Sequence, residues 1–137
     1  MNSRRKFMAM SAAATAAILM PVTNAAAKKR GGYPSNIIYT QKDPGVWSKK
    51  AATHLPQVEV KNGKAIIRTL HPMTEKHYIV RHTLVDDKGN VVGAKTFANT
   101  DEKAVSRFEL PADSKGKKFF ATSFCNKHDF WVSPVTL

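Results

Sequence analysis

Short strand-like segments, separated by turn residues, run through most of the sequence. Seven runs stand out, in the order QVEV, AIIRTL, HYIVRHTLV, VVGAKTF, AVSRFEL, KFFATSFC and FWVSPV. Asn62-Gly63, between the first two runs, is a strong signal for a tight hairpin turn. No apolar stripe with the helical period of ~3.6 residues lasts for three turns. About seven short strands with turn signals between them predict an all-β sandwich or barrel.

Residues 1–27 have the three parts of an export signal. Arg4-Arg5-Lys6 form a basic start, an apolar stretch of about a dozen residues follows, and Ala25-Ala26-Ala27 offer a small-residue cleavage site. The apolar stretch is shorter than the ~20 residues of a membrane-spanning helix, so we expect no stable membrane anchor. Adjacent arginines followed by Lys-Phe-Met resemble a twin-arginine signal. The expected location is therefore the periplasm.

The remaining chain is predicted to hold a basic, extended lead-in over residues 28–46 and a single domain over residues 47–137. The full chain has a net charge of +12. Without the three cations of the signal, 19 cations and 10 acids remain, a net charge of +9. Such a charge suits an anionic small substrate or an acidic protein partner. Export argues against nucleic acid as the partner.

Histidines and the single cysteine collect where the predicted strands end. The residues expected at such boundaries are His54, His71, His77, Cys125 and His128. Strand ends on one side of a sandwich converge, and neutral imidazoles with a thiolate bind transition metals. The fifth histidine, His82, lies inside a strand, where the two-residue alternation directs it away from these loops. The pattern thus favours a metal site that excludes His82.

The residue types alone leave the metal open. Tetrahedral zinc takes four ligands and would leave one of the five spare. Blue copper normally adds an axial methionine, but Met73, the only methionine after the signal, lies far upstream of the cysteine. Five ligands that include a thiolate suit iron with an open sixth position. A cysteine-nucleophile hydrolase fits less well, since nothing supplies an oxyanion-hole loop or an acid to orient His128.

Three motifs, THLP, HPMTEKHYI and CNKHDFW, resemble in this order the catalytic domain of superoxide reductases, the neelaredoxin and desulfoferrodoxin family. The resemblance covers roughly residues 47–133. It implies an immunoglobulin-like β-sandwich or barrel with one iron per chain, alternating between the ferrous and ferric states. The implied ligands are four equatorial histidines and one axial thiolate: His54, His71, His77, His128 and Cys125. A single cysteine cannot form the second, four-cysteine iron centre of desulfoferrodoxins, so the chain resembles the one-iron class.

The resemblance implies an oxidoreductase that reduces superoxide to hydrogen peroxide by one electron. The reaction needs an electron donor, and a rubredoxin-like protein or a cytochrome is expected. A homo-oligomer is compatible with this interpretation. The alternative is a periplasmic iron protein of the same fold that transfers electrons or senses redox state. A third hypothesis is an immunoglobulin-like binding module of the sulfur-oxidation type, in which a metal is incidental.

The stretch before the first histidine departs from the family pattern. The family usually has Glu-Lys-His-x-Pro there, in which the glutamate caps the oxidised iron and the lysine guides the anion. This chain has Ala52 and Thr53 before His54. Lys49 and Lys50, just upstream, are therefore the candidate catalytic lysines, and the alternative is that both simply face solvent.

Overall fold

The computed structural model describes residues 32–137. The predicted signal at 1–27 and the start of the predicted lead-in lie outside the described residues. Residues Ser35–Leu137 form one compact unit. Its strands are β1 Ile38–Tyr39, β2 Gln57–Lys61, β3 Lys64–Thr69, β4 Ile79–Asp86, β5 Val91–Thr96, β6 Ala104–Glu109, β7 Lys118–Cys125 and β8 Asp129–Thr136. A 3-10 helix, Gly45–Lys50, leads into a one-turn helix, α1, Ala51–His54. Within residues 32–137, no helix has the length and apolarity to cross a membrane.

Two β-sheets make up the fold, which confirms the all-β prediction. The larger sheet has the order β1-β8-β7-β4-β5, and the smaller has the order β2-β3-β6. Neighbouring strands are antiparallel, except that β1 runs parallel to β8. Strand β1 lies within the segment that the sequence predicts as a lead-in, and it forms one edge of the larger sheet.

The hairpin between β2 and β3 turns at the predicted dipeptide. Asn62 and Gly63 have φ angles of 52° and 73°. Positive φ at both central residues is the geometry of the tight hairpin turn that matches the twist of the strands. The register that follows pairs Lys61 with Lys64 and Gln57 with Arg68. This hairpin places the start of β2, three residues after the end of α1, next to the end of β3.

Two rows of inward-facing residues begin in the apolar core and end in a histidine or a cysteine. Side chains of a strand alternate between its two faces, so every second residue faces the core. The row of β7 contains Phe119, Ala121, Ser123 and Cys125, and the row of β3 contains Ala65, Ile67 and Thr69, followed by His71; all are buried. Each row thus passes from two apolar side chains to a hydroxyl and then to a candidate metal ligand.

A buried polar layer lies between two apolar clusters of the core. One cluster contains Ala65, Ile67, Leu84, Phe119 and Ala121, and the other contains Ile79, Phe97, Ala104 and Cys125. Between them along the strands lie Thr69, His82, Ser106 and Ser123, each at most 4% exposed. The ring of His82 is fully buried, with Nε2 2.8 Å from Thr69 Oγ1 and Nδ1 2.8 Å from Ser106 Oγ. His82 is therefore a core residue with both ring nitrogens satisfied.

The stabilisation that His82 provides should depend on pH. Burial lowers the pKa of His82 from 6.5 to about 4. The folded protein therefore keeps the ring neutral, while the unfolded chain protonates it below about pH 6.5. The contribution is fully present above that pH and is lost as the pH falls toward about 4. Between about pH 7.5 and about pH 5.5 the loss is roughly 1 kcal/mol, because one pH unit corresponds to ~1.36 kcal/mol.

Urea unfolding at these two pH values checks the prediction when the wild type is compared with His82→Gln. The wild type should lose roughly 1 kcal/mol more of its unfolding free energy than the variant does. The histidines elsewhere in the chain titrate in both proteins and cancel in the comparison. Equal losses in the two proteins would show that His82 does not titrate as its burial requires.

Candidate metal centre

Five side chains from four parts of the fold meet at one end of the sandwich. His54 is the last residue of α1, His71 and His77 lie in the connection between β3 and β4, Cys125 ends β7, and His128 lies in the turn before β8. One ligand atom of each lies within 4.8 Å of the others. The structure therefore brings together all five residues selected from the sequence and leaves His82 apart. His77, predicted to open a strand, lies two residues before the start of β4.

The shortest distances in the cluster involve His77. Its Nε2 is 3.0 Å from Nε2 of His71 and 3.1 Å from Nδ1 of His128. The thiol Sγ of Cys125 lies 3.3 Å from that same Nε2 of His77, 3.7 Å from Nδ1 of His128 and 3.9 Å from Nε2 of His71. His54 completes the group, with its ring centroid 4.6 Å from that of His71 and 4.9 Å from that of His128.

Hydrogen bonds on the outer nitrogens fix how two of the rings face the cluster. Nδ1 of His54 is 2.9 Å from the carbonyl oxygen of Lys50, and Nδ1 of His71 is 2.5 Å from that of Pro72. A carbonyl oxygen only accepts, so in the neutral rings Nδ1 donates and Nε2 keeps a lone pair. Such outer hydrogen bonds are typical of metal-bound histidines. Both rings are thus oriented to offer Nε2 to a shared ion.

One buried nitrogen in the cluster has no protein partner. Among the buried side-chain nitrogen and oxygen atoms of residues 32–137, only Nε2 of His54 lacks a hydrogen bond. An unpaired buried polar atom is costly, and nearly all such atoms in folded proteins have a partner. His54 itself is only 2% exposed, which leaves little access for solvent. A metal ion bound by the cluster would satisfy this atom.

The spacing of the nitrogens also fits a shared ion. Two imidazole nitrogens at right angles around one metal, each bonded at ~2.1 Å, lie about 3.0 Å apart. The observed distances are 3.0 Å between His71 and His77 and 3.1 Å between His77 and His128. Four imidazoles and one thiolate, with no carboxylate in the group, exclude the hard cations Ca²⁺ and Mg²⁺. The residues present therefore fit a transition metal.

Burial sets the protonation states that metal binding requires. It lowers the pKa of all four histidines, that of His54 to about 4, so the rings are neutral near pH 7. Burial also raises the pKa of the Cys125 thiol, while hydrogen bonds from the backbone N–H groups of Lys127 and His128 act in the opposite direction. Because a bound cation favours the thiolate, metal binding should release the thiol proton.

Two tryptophans fix the loop that carries His128, and the sequence reasoning did not assign them this role. The ring of Trp47 meets the ring of His128 edge-on, with centroids 4.7 Å apart, and its Nε1 donates to Asp129 Oδ2 at 2.8 Å. Nε1 of Trp131 donates to the carbonyl oxygen of His128 at 2.7 Å. Asp129 has a positive φ of 68°. The only signal in the sequence is that Asp129 and Trp131 follow His128 within three positions.

Two lysines act electrostatically on the cluster. The charge of Lys50 contributes to lowering the pKa of His71, His77 and His128. Lys127, which the sequence reasoning did not select, acts in the same way on His77 and His128. Lys50 lies one turn before His54 and also contributes the carbonyl oxygen that orients this ring. Of the two candidate lysines, Lys50 is therefore the one coupled to the centre.

Threonine stands where the family pattern has its lysine. The hydroxyl of Thr53 donates to the carbonyl oxygen of Lys50 at 3.1 Å, and it lies 2.9 Å from Nδ1 of His54. It cannot carry a positive charge, but it adds a second contact on the outer side of the ring. Thr53 thus supports the orientation of His54 and leaves the cationic role to other residues.

Residues 44–134 match the family model described as desulfoferrodoxin. The chain belongs to the desulfoferrodoxin family. No curated protein matches the chain by sequence. The family assignment and the five-residue donor set together point to a single non-haem iron as the metal of this site.

Solved structures of superoxide reductases share the fold of this desulfoferrodoxin-family chain. The one-iron superoxide reductase from Giardia intestinalis is 28% identical, with a TM-score of 0.55, and the match covers 62% of this chain and 98% of that one. The superoxide reductase from Treponema pallidum is 29% identical, with a TM-score of 0.54, over 65% of this chain and 71% of that one. The superoxide reductase (neelaredoxin) from Archaeoglobus fulgidus in its reduced form is 26% identical, with a TM-score of 0.53, and the match covers 74% of this chain and 98% of that one.

Proposed function

We propose that this chain is a superoxide reductase of the one-iron class, an oxidoreductase that converts superoxide to hydrogen peroxide. The observation that carries the proposal is the cluster of four histidines and one cysteine, with all ligand atoms within 4.8 Å of one another. The similarity to solved superoxide reductases supports the same activity. Superoxide is the substrate, and it takes up one electron and two protons to give hydrogen peroxide.

In this proposal each side chain of the cluster has a defined role. His54, His71, His77, His128 and Cys125 hold the iron, which supplies the electron for superoxide when it is bound. Cys125 is 1% exposed and packs in an apolar cluster with Ile79, Phe97 and Ala104. That packing keeps water away from the thiolate and strengthens its electrostatic effect on the ion. His77 and His128 are only half-buried, so the cluster is most accessible on their side.

We assign the catalytic cation to Lys50 rather than to Lys49, because the charge of Lys50 acts on three histidines of the cluster; both side chains are exposed. A positive charge near the exposed side of the cluster attracts the superoxide anion and stabilises charge in the transition state. Lys50→Ala should therefore slow the second-order reaction with superoxide about tenfold at low salt, a change of ~1.4 kcal/mol in the barrier. Rapid mixing of the reduced protein with superoxide gives the rate.

Lys49→Ala is the matched control, because it removes the same charge from the preceding residue. It should slow the reaction less than about twofold, as expected for the loss of one screened surface charge. If both variants had the same small effect, the positive charge would act only through the net charge of the chain, and neither lysine would have a local role.

A second candidate function is electron transfer or redox sensing by the same iron centre. The observation that favours it is the stretch before His54, where Ala52 and Thr53 replace the glutamate and lysine of the usual family pattern. Measurement of hydrogen peroxide after the reduced protein meets superoxide separates the two functions. A reductase gives one peroxide for each superoxide consumed, and a dismutase gives half as much. An electron-transfer protein would leave superoxide to its spontaneous decay.

Export and an electron donor complete the proposal. The twin-arginine pattern at Arg4-Arg5 and the small residues before Lys28 support a signal over residues 1–27, a lead-in at 28–46 and a periplasmic iron domain over 47–137. A rubredoxin-like protein or a cytochrome would return the electron, and the net charge of +9 favours an acidic donor. Fractionation of cells that express the full chain tests the location, which a cytoplasmic product would contradict.

A further inference from the structure

The buried layer around His82 forms a continuous chain of hydrogen bonds. Ser106 Oγ is 2.8 Å from Nδ1 of His82, Nε2 of His82 is 2.8 Å from Thr69 Oγ1, and Thr69 Oγ1 is 2.9 Å from Ser123 Oγ. These four side chains, here called the hydroxyl chain, come from β6, β4, β3 and β7. It joins the two sheets, since β3 and β6 belong to the smaller sheet and β4 and β7 to the larger.

The hydrogen bonds run in the same donor-to-acceptor direction along the whole hydroxyl chain. A neutral imidazole donates through one nitrogen and accepts through the other, and each hydroxyl has one proton to donate. If Nε2 of His82 donates to Thr69, Thr69 can donate to Ser123 while Ser106 donates to Nδ1; the other tautomer reverses every bond. Bonds aligned in this way strengthen one another in an apolar interior. Removal of one hydroxyl group therefore weakens the remaining hydrogen bonds of the hydroxyl chain.

Two members of the hydroxyl chain lie directly before candidate metal ligands. Thr69 is two residues before His71, and its carbonyl oxygen accepts the backbone N–H of His71 at 2.8 Å. Ser123 is two residues before Cys125 in the same inward-facing row of β7. The contact between Thr69 and Ser123 thus joins the ends of β3 and β7. It lies two residues before the pair of candidate ligands, in which Nε2 of His71 is 3.9 Å from Sγ of Cys125.

Full burial distinguishes this layer from a solvated polar surface. His82, Ser106 and Ser123 are at most 1% exposed, and the edge of the His82 ring packs against Phe97 with centroids 4.9 Å apart. Phe97 belongs to the same apolar cluster as Cys125. An apolar residue at position 82 would fill such a core position without the cost of burying polar groups. The polar layer therefore provides less stability than apolar packing would, and its directional hydrogen bonds fix the geometry between the two sheets.

We propose that the hydroxyl chain positions His71 relative to Cys125, so that His82, Thr69 and Ser123 act as positioning residues for the iron site without touching the metal. The inference rests on the proposed function in that the five residues hold iron. Groups outside the first ring of ligands orient those ligands, and their loss typically lowers metal affinity by ~10–100-fold. A looser spacing between a histidine and the thiolate should also change how the thiolate interacts with the ion.

The test compares Thr69→Val with Thr122→Val in the iron-loaded protein. Thr69→Val keeps the shape and removes the central hydroxyl. Thr122 instead bonds Thr83 between β7 and β4, two of the four strands that carry the hydroxyl chain, and is not a member of that chain. Thr69→Val should shift the thiolate-to-iron absorption maximum and the reduction potential. It should also release iron to a chelator at least about tenfold faster than the wild type. Thr122→Val should leave all three as in the wild type.

Ser123→Ala is the second variant, in case Thr69→Val does not fold. It removes the terminal hydroxyl alone and should change the same three quantities in the same direction. Urea unfolding of each variant separates these effects from a general loss of stability, which Thr122→Val should share. The inference would be overturned if Thr69→Val and Ser123→Ala both matched Thr122→Val in absorption maximum, reduction potential and rate of iron release. A wild type without iron would instead overturn the proposed function.

Discussion

Cys125→Ser is expected to abolish the thiolate-to-iron absorption band of the oxidised protein and to remove most superoxide reduction. The absorption requires a sulfur ligand, and Cys125 is the only cysteine in the chain. Its Sγ lies within 3.9 Å of the ligand nitrogens of His71, His77 and His128. The thiolate donates electron density to the ion, and this favours electron transfer away from the metal. A loss of at least about tenfold in rate, ~1.4 kcal/mol in the barrier, is expected.

The iron content of Cys125→Ser distinguishes loss of the ligand from loss of the site. Four neutral imidazoles still bind a transition metal, so part of the iron should remain. The visible spectrum and the rate with superoxide are measured on the same iron-loaded sample and expressed per iron. Survival of the absorption band in this variant would show that it does not arise from Cys125, and the proposed ligand set would then be wrong.

His77→Gln is expected to lower iron occupancy sharply. Nε2 of His77 is close to three other ligand atoms, at 3.0 Å from His71, 3.1 Å from His128 and 3.3 Å from Cys125. Loss of this nitrogen removes a direct ligand, so the affinity should fall by more than the ~10–100-fold that loss of an outer partner costs. Iron per chain after dialysis, measured by metal analysis, gives the result.

His82→Gln is the matched control for His77→Gln, because it makes the same substitution at the one histidine outside the cluster. It should retain much more iron after dialysis than His77→Gln, because it loses an outer partner and not a ligand, and its spectrum should resemble that of Thr69→Val if the hydroxyl chain acts as proposed. The substitution leaves buried hydroxyls without a partner and should cost about 1–3 kcal/mol of unfolding free energy. Full occupancy in His77→Gln together with loss of iron in His82→Gln would reverse the ligand assignment.

The strands could be predicted from the sequence because local signals determine them. Period-two alternation places Phe119, Ala121, Ser123 and Cys125 in one inward row, and Asn62-Gly63 requires the turn that the φ angles show. Strand β1 could not be predicted in this way. It has two residues, and it pairs in parallel with β8 at the far end of the chain, so that it depends on tertiary contacts alone.

The five residues of the candidate site could be predicted from the sequence for a different reason. Its five residues lie at strand ends and in motifs that resemble a known family, so their convergence could be expected. The residues around them could not be inferred, because their partners lie far away in the sequence. Thr69 contacts His82 across 13 positions and Ser123 across 54, and Trp47 bonds Asp129 across 82. Only the folded chain shows that these polar groups meet in the core or beside His128.

Metal analysis of the purified wild-type protein, combined with its visible spectrum after oxidation, tests the central claim most directly. Four histidines and one cysteine with ligand atoms within 4.8 Å of one another predict about one iron per chain. The oxidised protein should show a thiolate-to-iron absorption band that disappears on reduction. Stoichiometric zinc or copper without iron, or one iron per chain without this band, would contradict the account.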